Sequence, residues 1–276
     1  MSGPYWTKAW NPVRGCTPVS PGCARCWAQA MHERFRSEPF NVVTCLPEVL
    51  SKPIHWRKPQ IVFIDCADLF HEKVPFEFIR DVYATMEEAH WHTFLICTKR
   101  PQRRLDFFKW LGGGSLQKHE RENVWEGVTA EDQQRADERI PMLLATPAAH
   151  RWISVEPMLE PIDFIATGKA MQHSGRMPAD RTIDQVIVGA ESGHGMRPCN
   201  VEWVRDMVQH CAITRSIKDN KPVPCFVKQL HIDGKLVTDP AQFPEDLRVR
   251  ELEAENHELR KQLTRYTNPD PHDVWR

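Results

Sequence analysis

Short apolar runs recur along the chain at 61–65 (IVFID), 93–98 (TFLICT), 124–129 (VWEGVT), 151–156 (RWISVE), 185–191 (QVIVGAE) and 224–229 (PCFVKQ). They are too short for helices and rich in Val, Ile and Phe, so they predict strands buried on both faces. Between them the apolar positions change to helical spacing. In 74–90, Pro75 stands near the start, and Phe76, Ile79, Val82, Tyr83 and Met86 share one face. Segments 101–111, 131–145 and 200–213 predict further helices, the last with Asn200 placed as its N-cap. Strand alternating with helix implies a parallel sheet with right-handed crossovers.

Nearly every predicted strand ends in polar residues: Asp65 and Asp68; Thr98, Lys99 and Arg100; Thr129, Glu131 and Asp132; Ser154 and Glu156; Glu191 and Ser192; Lys228 and Gln229. In a (β/α) barrel the C-terminal strand ends converge on one mouth, where the active site lies. Helix caps and solvated loop starts would account for any one of these residues, but less easily for all of them in succession. The expected fold is therefore α/β, a complete or partial (β/α) TIM-like barrel with a C-terminal helical extension. The barrel would span 1–244, a charged amphipathic helix 245–268 and a tail 269–276. Segments 112–115 (GGGS) and 167–182 predict a flexible loop and a surface excursion.

The chain of 276 residues is long enough for one large α/β domain or two smaller ones. Its 36 Lys plus Arg nearly balance 37 Asp plus Glu, so no global basic field advertises nucleic acid and any such site would be a local patch. Neither a signal-peptide pattern nor a bilayer-length apolar run is present, which predicts a cytoplasmic protein without membrane contact. There nine cysteines are expected as free thiols or metal ligands.

Three of them cluster in RGCTPVSPGCARCWAQAM: Cys16, Cys23 and Cys26, spaced C-x6-C-x2-C before a helical pattern. Helix N-terminal amides and dipole favour thiolates there. Three readings compete: a zinc site completed by a distant ligand such as Cys66 or a histidine, structural thiols, or a 4Fe–4S cluster on three thiolates with one iron open. Cys45, Cys66, Cys97, Cys199, Cys211 and Cys225 are scattered, and their default reading is small buried apolar side chains.

A three-cysteine loop after the first strand of an α/β barrel resembles the radical S-adenosylmethionine (SAM) enzymes. WNPVRGCTPVSPGCARCWA, DLFHEKVP, CTKRP, GVTAEDQ, SVEPML, VGAESG and FVKQL, in this order from about Trp10 to Leu230, resemble a phage-type family named after phage gene products thirty-seven and sixty-eight and regarded as radical-SAM-like. The resemblance implies a 4Fe–4S cluster on Cys16, Cys23 and Cys26. Its free iron would bind SAM, and one electron from a donor such as flavodoxin or ferredoxin would cleave SAM to methionine and a 5′-deoxyadenosyl radical. Most radical SAM enzymes use C-x3-C-x2-C with an aromatic before the last cysteine; here the loop is longer, Arg25 holds that position and Trp27 follows Cys26.

Beside Trp27, the candidate cofactor-binding residues are Asp68, Lys99, Glu156, Gly189, Glu191 and Lys228, all at predicted strand ends. A carboxylate there suits an amino group or ribose hydroxyls, with a salt bridge to a neighbouring cation as its bland alternative. Gly189 and Gly193 would let a ligand approach the backbone beside Glu191. The catalytic residues are left open. The basic stretch 98–104 gathers Lys99, Arg100, Arg103 and Arg104 and could hold a phosphate or nucleic-acid backbone, although a solvated helix start is the favoured reading of Arg103 and Arg104. Together with the phage-type resemblance it makes a nucleic-acid base or nucleotide the expected substrate; the rival function is a non-catalytic nucleic-acid accessory protein with a zinc or iron–sulfur knuckle. His90 and His92 read as a surface pair, and GVTAEDQ as a helix cap with first-turn acids. In 248–266, Val249, Asn256 and Leu263 fall at heptad a positions, with Leu252, Leu259 and Tyr266 at d. That pattern fits a parallel homodimer or, equally, a helix packed on its own barrel.

Overall fold

The computed structural model describes residues 5–64, 66–112, 120–164, 167, 181–216 and 218–252. Its strands are β1 (Lys8–Ala9), β2 (Val13–Arg14), β3 (Thr44–Cys45), β4 (Ile61–Ile64), β5 (Thr93–Thr98), β6 (Val124–Thr129), β7 (His150–Val155), β8 (Gln185–Gly189), β9 (Cys225–Ile232) and β10 (Lys235–Val237). Its α-helices are α1 (Trp27–Phe35), α2 (Phe76–Glu88), α3 (Pro101–Gly112), α4 (Gln133–Ala145) and α5 (Val201–Ile213). One sheet takes the order β1-β4-β5-β6-β7-β8-β9-β10. Every neighbouring pair is parallel except the last, and β2 and β3 form a separate antiparallel ribbon.

The sheet curls into a half-barrel, so the partial form of the expected barrel is the one observed. The curl shows in ring contacts. Phe63 on β4 lies 5.9 Å from Trp152 on β7, whereas three strand spacings in a flat sheet amount to about 14 Å. Tyr5 reaches Trp152 at 5.9 Å and Phe226 on β9 at 6.0 Å, drawing the N-terminal segment across the concave face. The indole of Trp152 can lie flat on β6 only because residue 127 is glycine; a Cβ there would stand 2.4 Å from the ring.

Strand alternation sorts side chains onto two faces. Ile61, Leu95, Trp125, Trp152, Ile187 and Phe226 meet Tyr5 in an aromatic-rich cluster on the concave face. The opposite face carries Val62, Ile64, Phe94 and Ile96 against α2 and α3, and Val128, Ile153, Val186 and Val227 against α4 and α5. Ile79, Val82, Tyr83 and Met86 of α2 are buried, as the helical spacing predicts. Asn200 caps α5 by accepting from the Glu202 N–H, and Asp132 caps α4 through the Arg135 N–H.

The C-terminal reading needs correction where it can be followed. Residues 245–247 form a 3-10 turn, and beyond Arg248 the chain pairs along β9 rather than continuing as a helix. β10 covers only the upper edge of β9, from Leu230 to Ile232. The lower edge is paired by the tail: Val227 N–H donates to Val249 O, and Glu251 N–H to Cys225 O. Capping an open sheet edge competes with helix formation. Val249 and Leu252 accordingly pack into the two cores rather than onto a heptad seam. Residues 253–276 lie outside the described residues, as does most of 167–182. No helix among the described residues is long and apolar enough to cross a membrane.

Candidate functional site at the mouth of the half-barrel

The cysteine loop begins at a forced turn. Gly15 has φ +79°, and a Cβ there would stand 2.2 Å from Val42 O, so only glycine fits beside the β2–β3 ribbon. The next residue, Cys16, is fixed by its N–H to Phe40 O. The loop turns through a 3-10 helix at Pro21–Cys23 and enters α1, with Cys26 as the N-cap residue. It lies over the C-terminal ends of the strands.

Between loop and sheet is a cavity of about 600 Å³. Cys16, Cys23, Cys26, Trp27, Asp68, Lys99, Glu156, Glu191 and Lys228 all border it. Gly189 lies just beneath: a Cβ there would meet Glu156 Oε1 at 3.2 Å and the side chains of Gln229 and Lys228. The polar strand ends therefore do converge. Thr98, Arg100, Thr129, Ser154, Ser192 and Gln229 complete the polar rim, while Tyr5, Trp6 and Phe63 furnish an aromatic wall.

Most charges in the cavity are paired. Lys228 Nζ lies 2.7 Å from Glu156 Oε1. Glu191 is gripped by Arg197 through its backbone N–H, Nε and Nη2, with Arg25 at 3.9 Å. Burial alone would raise its carboxyl, but Arg197 overcomes this and holds it below the usual carboxylate range. Asp68 has its oxygens filled by Thr98 Oγ1, Phe70 N–H, Lys99 N–H and Arg100 Nη1 at 2.7–3.1 Å. Asp68 and Glu191 thus have their acceptors engaged by donors of the protein itself. Among the described residues bordering the cavity, Lys99 is the cation without an ion-pair partner. Burial would lower its ammonium, but the neighbouring Cys23 and Glu131 raise it above its ordinary value, so it stays charged.

Two groups pin the cysteine loop that the sequence placed at strand ends without marking them as site residues. Arg100 reaches Cys16 Sγ at 3.6 Å and Thr17 O at 2.8 Å. Glu131, read as a first-turn helix acid, is fully buried and accepts from Gly22 N–H at 3.1 Å while pairing with Arg139 at 2.9 Å. Its only signal was its position just after a strand end. Burial pushes its carboxyl up, yet Arg139 and Lys99 win and hold it below its ordinary value.

The basic stretch is not a patch. Arg103 donates to His71 O and Val74 O and lies over Phe76. Arg104 is fully buried against Glu126 and Gly127 O, so neither is a solvated helix start. His92 is likewise no surface residue; it is buried, with Gln60 N–H on Nδ1 and Pro53 O at Nε2. Of the scattered cysteines, Cys199, Cys211 and Cys225 are buried, but Cys66 and Cys97 border the cavity. Burial pushes the Cys97 thiol up to about 11.

Residues 3–252 match the family described as protein of unknown function, DUF5131. The chain belongs to the DUF5131 family. No curated protein and no solved structure matches it. The match takes in the cysteine loop, all ten strands and the whole cavity lining of this DUF5131 chain.

The loop suits an iron–sulfur cluster in donor type and number: three free thiols on one cavity, with cations beside two of them. No group of three His, Cys, Asp or Glu among the described residues is gathered closely enough to hold a metal ion.

Proposed function

We propose that this DUF5131 protein is an iron–sulfur enzyme of radical-SAM type, with a 4Fe–4S cluster on Cys16, Cys23 and Cys26 and SAM in the cavity beside it. The observation that carries the reading is that all three thiols border the same cavity as the polar ends of the parallel strands. A cluster with three protein ligands would leave one iron for a small molecule, and the cavity's volume of about 600 Å³ is within the usual range for a small-molecule site.

Bound there on Cys16, Cys23 and Cys26, a cluster would supply the one electron that reductive cleavage of SAM needs. The protein's own residues bind, orient and shield. Lys99 offers a charged ammonium to an anionic group. The Glu156–Lys228 pair exposes a carboxylate and an amine to ligand hydroxyls and amino groups. Tyr5, Trp6 and Phe63 give a ring an apolar wall and exclude water. A one-electron donor of the flavodoxin or ferredoxin kind is the partner this chemistry needs. The rival reading, a non-catalytic nucleic-acid knuckle around zinc or an iron–sulfur cluster, would draw on residues 98–104 as a basic face, and those arginines are engaged inside the fold.

SAM added to anaerobically loaded, reduced protein should alter the cluster's electron paramagnetic spectrum and release 5′-deoxyadenosine. Cys23→Ala should abolish both. A loaded cluster indifferent to SAM would overturn the SAM assignment.

A further inference from the structure

Arg100 uses every donor it has. A guanidinium carries five N–H bonds. Here Nε–H faces both Glu72 oxygens at 3.0 and 3.1 Å. Nη1 serves Asp68 Oδ2 at 3.1 Å and Cys16 Sγ at 3.6 Å, and Nη2 serves Thr17 O at 2.8 Å and Thr17 Oγ1 at 3.1 Å. The residue is buried, and its anchor Asp68 is itself tied to the end of β5 through Thr98 Oγ1 and Lys99 N–H. The guanidinium is therefore a rigid bridge from a strand end to the first cysteine of the loop. His71 completes the frame, its Nε2 at 2.8 Å from Thr17 Oγ1.

We infer that Arg100 is the positioning residue of the cysteine loop, fixing the Cys16 sulfur and holding positive charge against it so that a bound cluster is easier to reduce. This rests on the iron–sulfur reading above. Net charge and hydrogen bonds to the ligating sulfur are among the factors that set a cluster's potential. Lysine is no substitute, since three donors on a point charge cannot span Glu72, Asp68, Cys16 and Thr17 together. Glu72 lies at the far end of the fork, is 62% exposed and partly neutralises it. Removing its charge should act in the opposite sense to removing Arg100.

The test is a redox titration, followed by electron paramagnetic resonance, of anaerobically loaded full-length protein. Arg100→Gln should shift the midpoint potential negative, and Arg100→Lys should shift it negative by less. Glu72→Gln should shift it positive by a smaller amount. A purely structural Arg100 would lower the melting temperature of Arg100→Gln and leave its potential where it was, which would overturn the inference while the cluster stands. If Arg100→Gln holds no cluster at all, Glu72→Gln decides: a positive shift supports the inference, and no shift or a negative one overturns it. Wild-type protein that takes up no cluster would overturn the iron–sulfur reading instead, and the inference with it.

Discussion

Glu126 and Glu131 stand five residues apart on β6 and the turn that follows it, each almost fully buried and each paired with an arginine. They nevertheless behave as opposites. Glu126 points into the helix layer, accepts from Tyr83 Oη and Arg104 Nη1, and has its carboxyl raised by burial in spite of them. Glu131 points to the mouth, between Arg139, the Lys99 ammonium and the Gly22 N–H, and its carboxyl lies below its ordinary value. At Glu126 burial outweighs Arg104, Arg121 and the Tyr83 hydroxyl. At Glu131 the Arg139 and Lys99 cations, with the Gly22 N–H from the loop, outweigh burial. Burial and an arginine partner do not by themselves separate a scaffold carboxylate from a site carboxylate; the balance between burial and the surrounding cations and donors does.

The largest break in this contrast should come from Arg104→Met. It strands a buried carboxylate between α2, α3 and β6, and breaking a buried pair costs about 3–5 kcal/mol. Urea unfolding should show the loss, and the loss should shrink in acid. A carboxyl with a raised folded-state pKa contributes stability that is full below its unfolded value of about 4.3 and is lost as pH rises through the folded value. Glu131→Gln should cost less, roughly 2 kcal/mol for charge-assisted hydrogen bonds, and its loss should fade only in a more acid window. There the wild-type advantage is full above about pH 4.3 and disappears as pH falls through the depressed folded value. On acidification the Arg104→Met loss should fade already above about pH 4.3 and the Glu131→Gln loss only below it; losses that fade over the same pH window would contradict the distinction. The smallest effect is expected of Gly22→Ala, whose Cβ would lie 2.9 Å from Glu131 Cδ. It should lower global stability by only about 1 kcal/mol while loosening the loop, seen as faster loss of bound iron to a chelator.

The same contrast explains what could be read from the residues alone. Strands such as 93–98 and 124–129 and the helix at 27–35 were legible because local apolar spacing sets them. The mouth was legible because polar residues stop those runs at a common end. Charged groups inside the fold were not. Arg104 and Glu126 look solvent-facing in sequence and are buried only because α2, α3 and β6 close around them. The two-residue strands β1, β2 and β3 carry too little pattern to register. The β9–β10 hairpin did leave a signal, Asp233–Gly234 with both φ values positive, between apolar segments. At 248–252 a heptad reading lost to the open edge of β9, which no periodicity in the tail itself records.

The central claim is that the loop of Cys16, Cys23 and Cys26 holds an iron–sulfur cluster over the strand ends. Anaerobic reconstitution of the full-length chain with iron and sulfide, followed by metal and sulfide analysis and visible absorption, tests it most directly. The account predicts about four irons and four sulfides per chain, lost in Cys16→Ala while the variant keeps its far-ultraviolet circular dichroism. Stoichiometric zinc in the purified protein, with no cluster formed under anaerobic conditions, would contradict it.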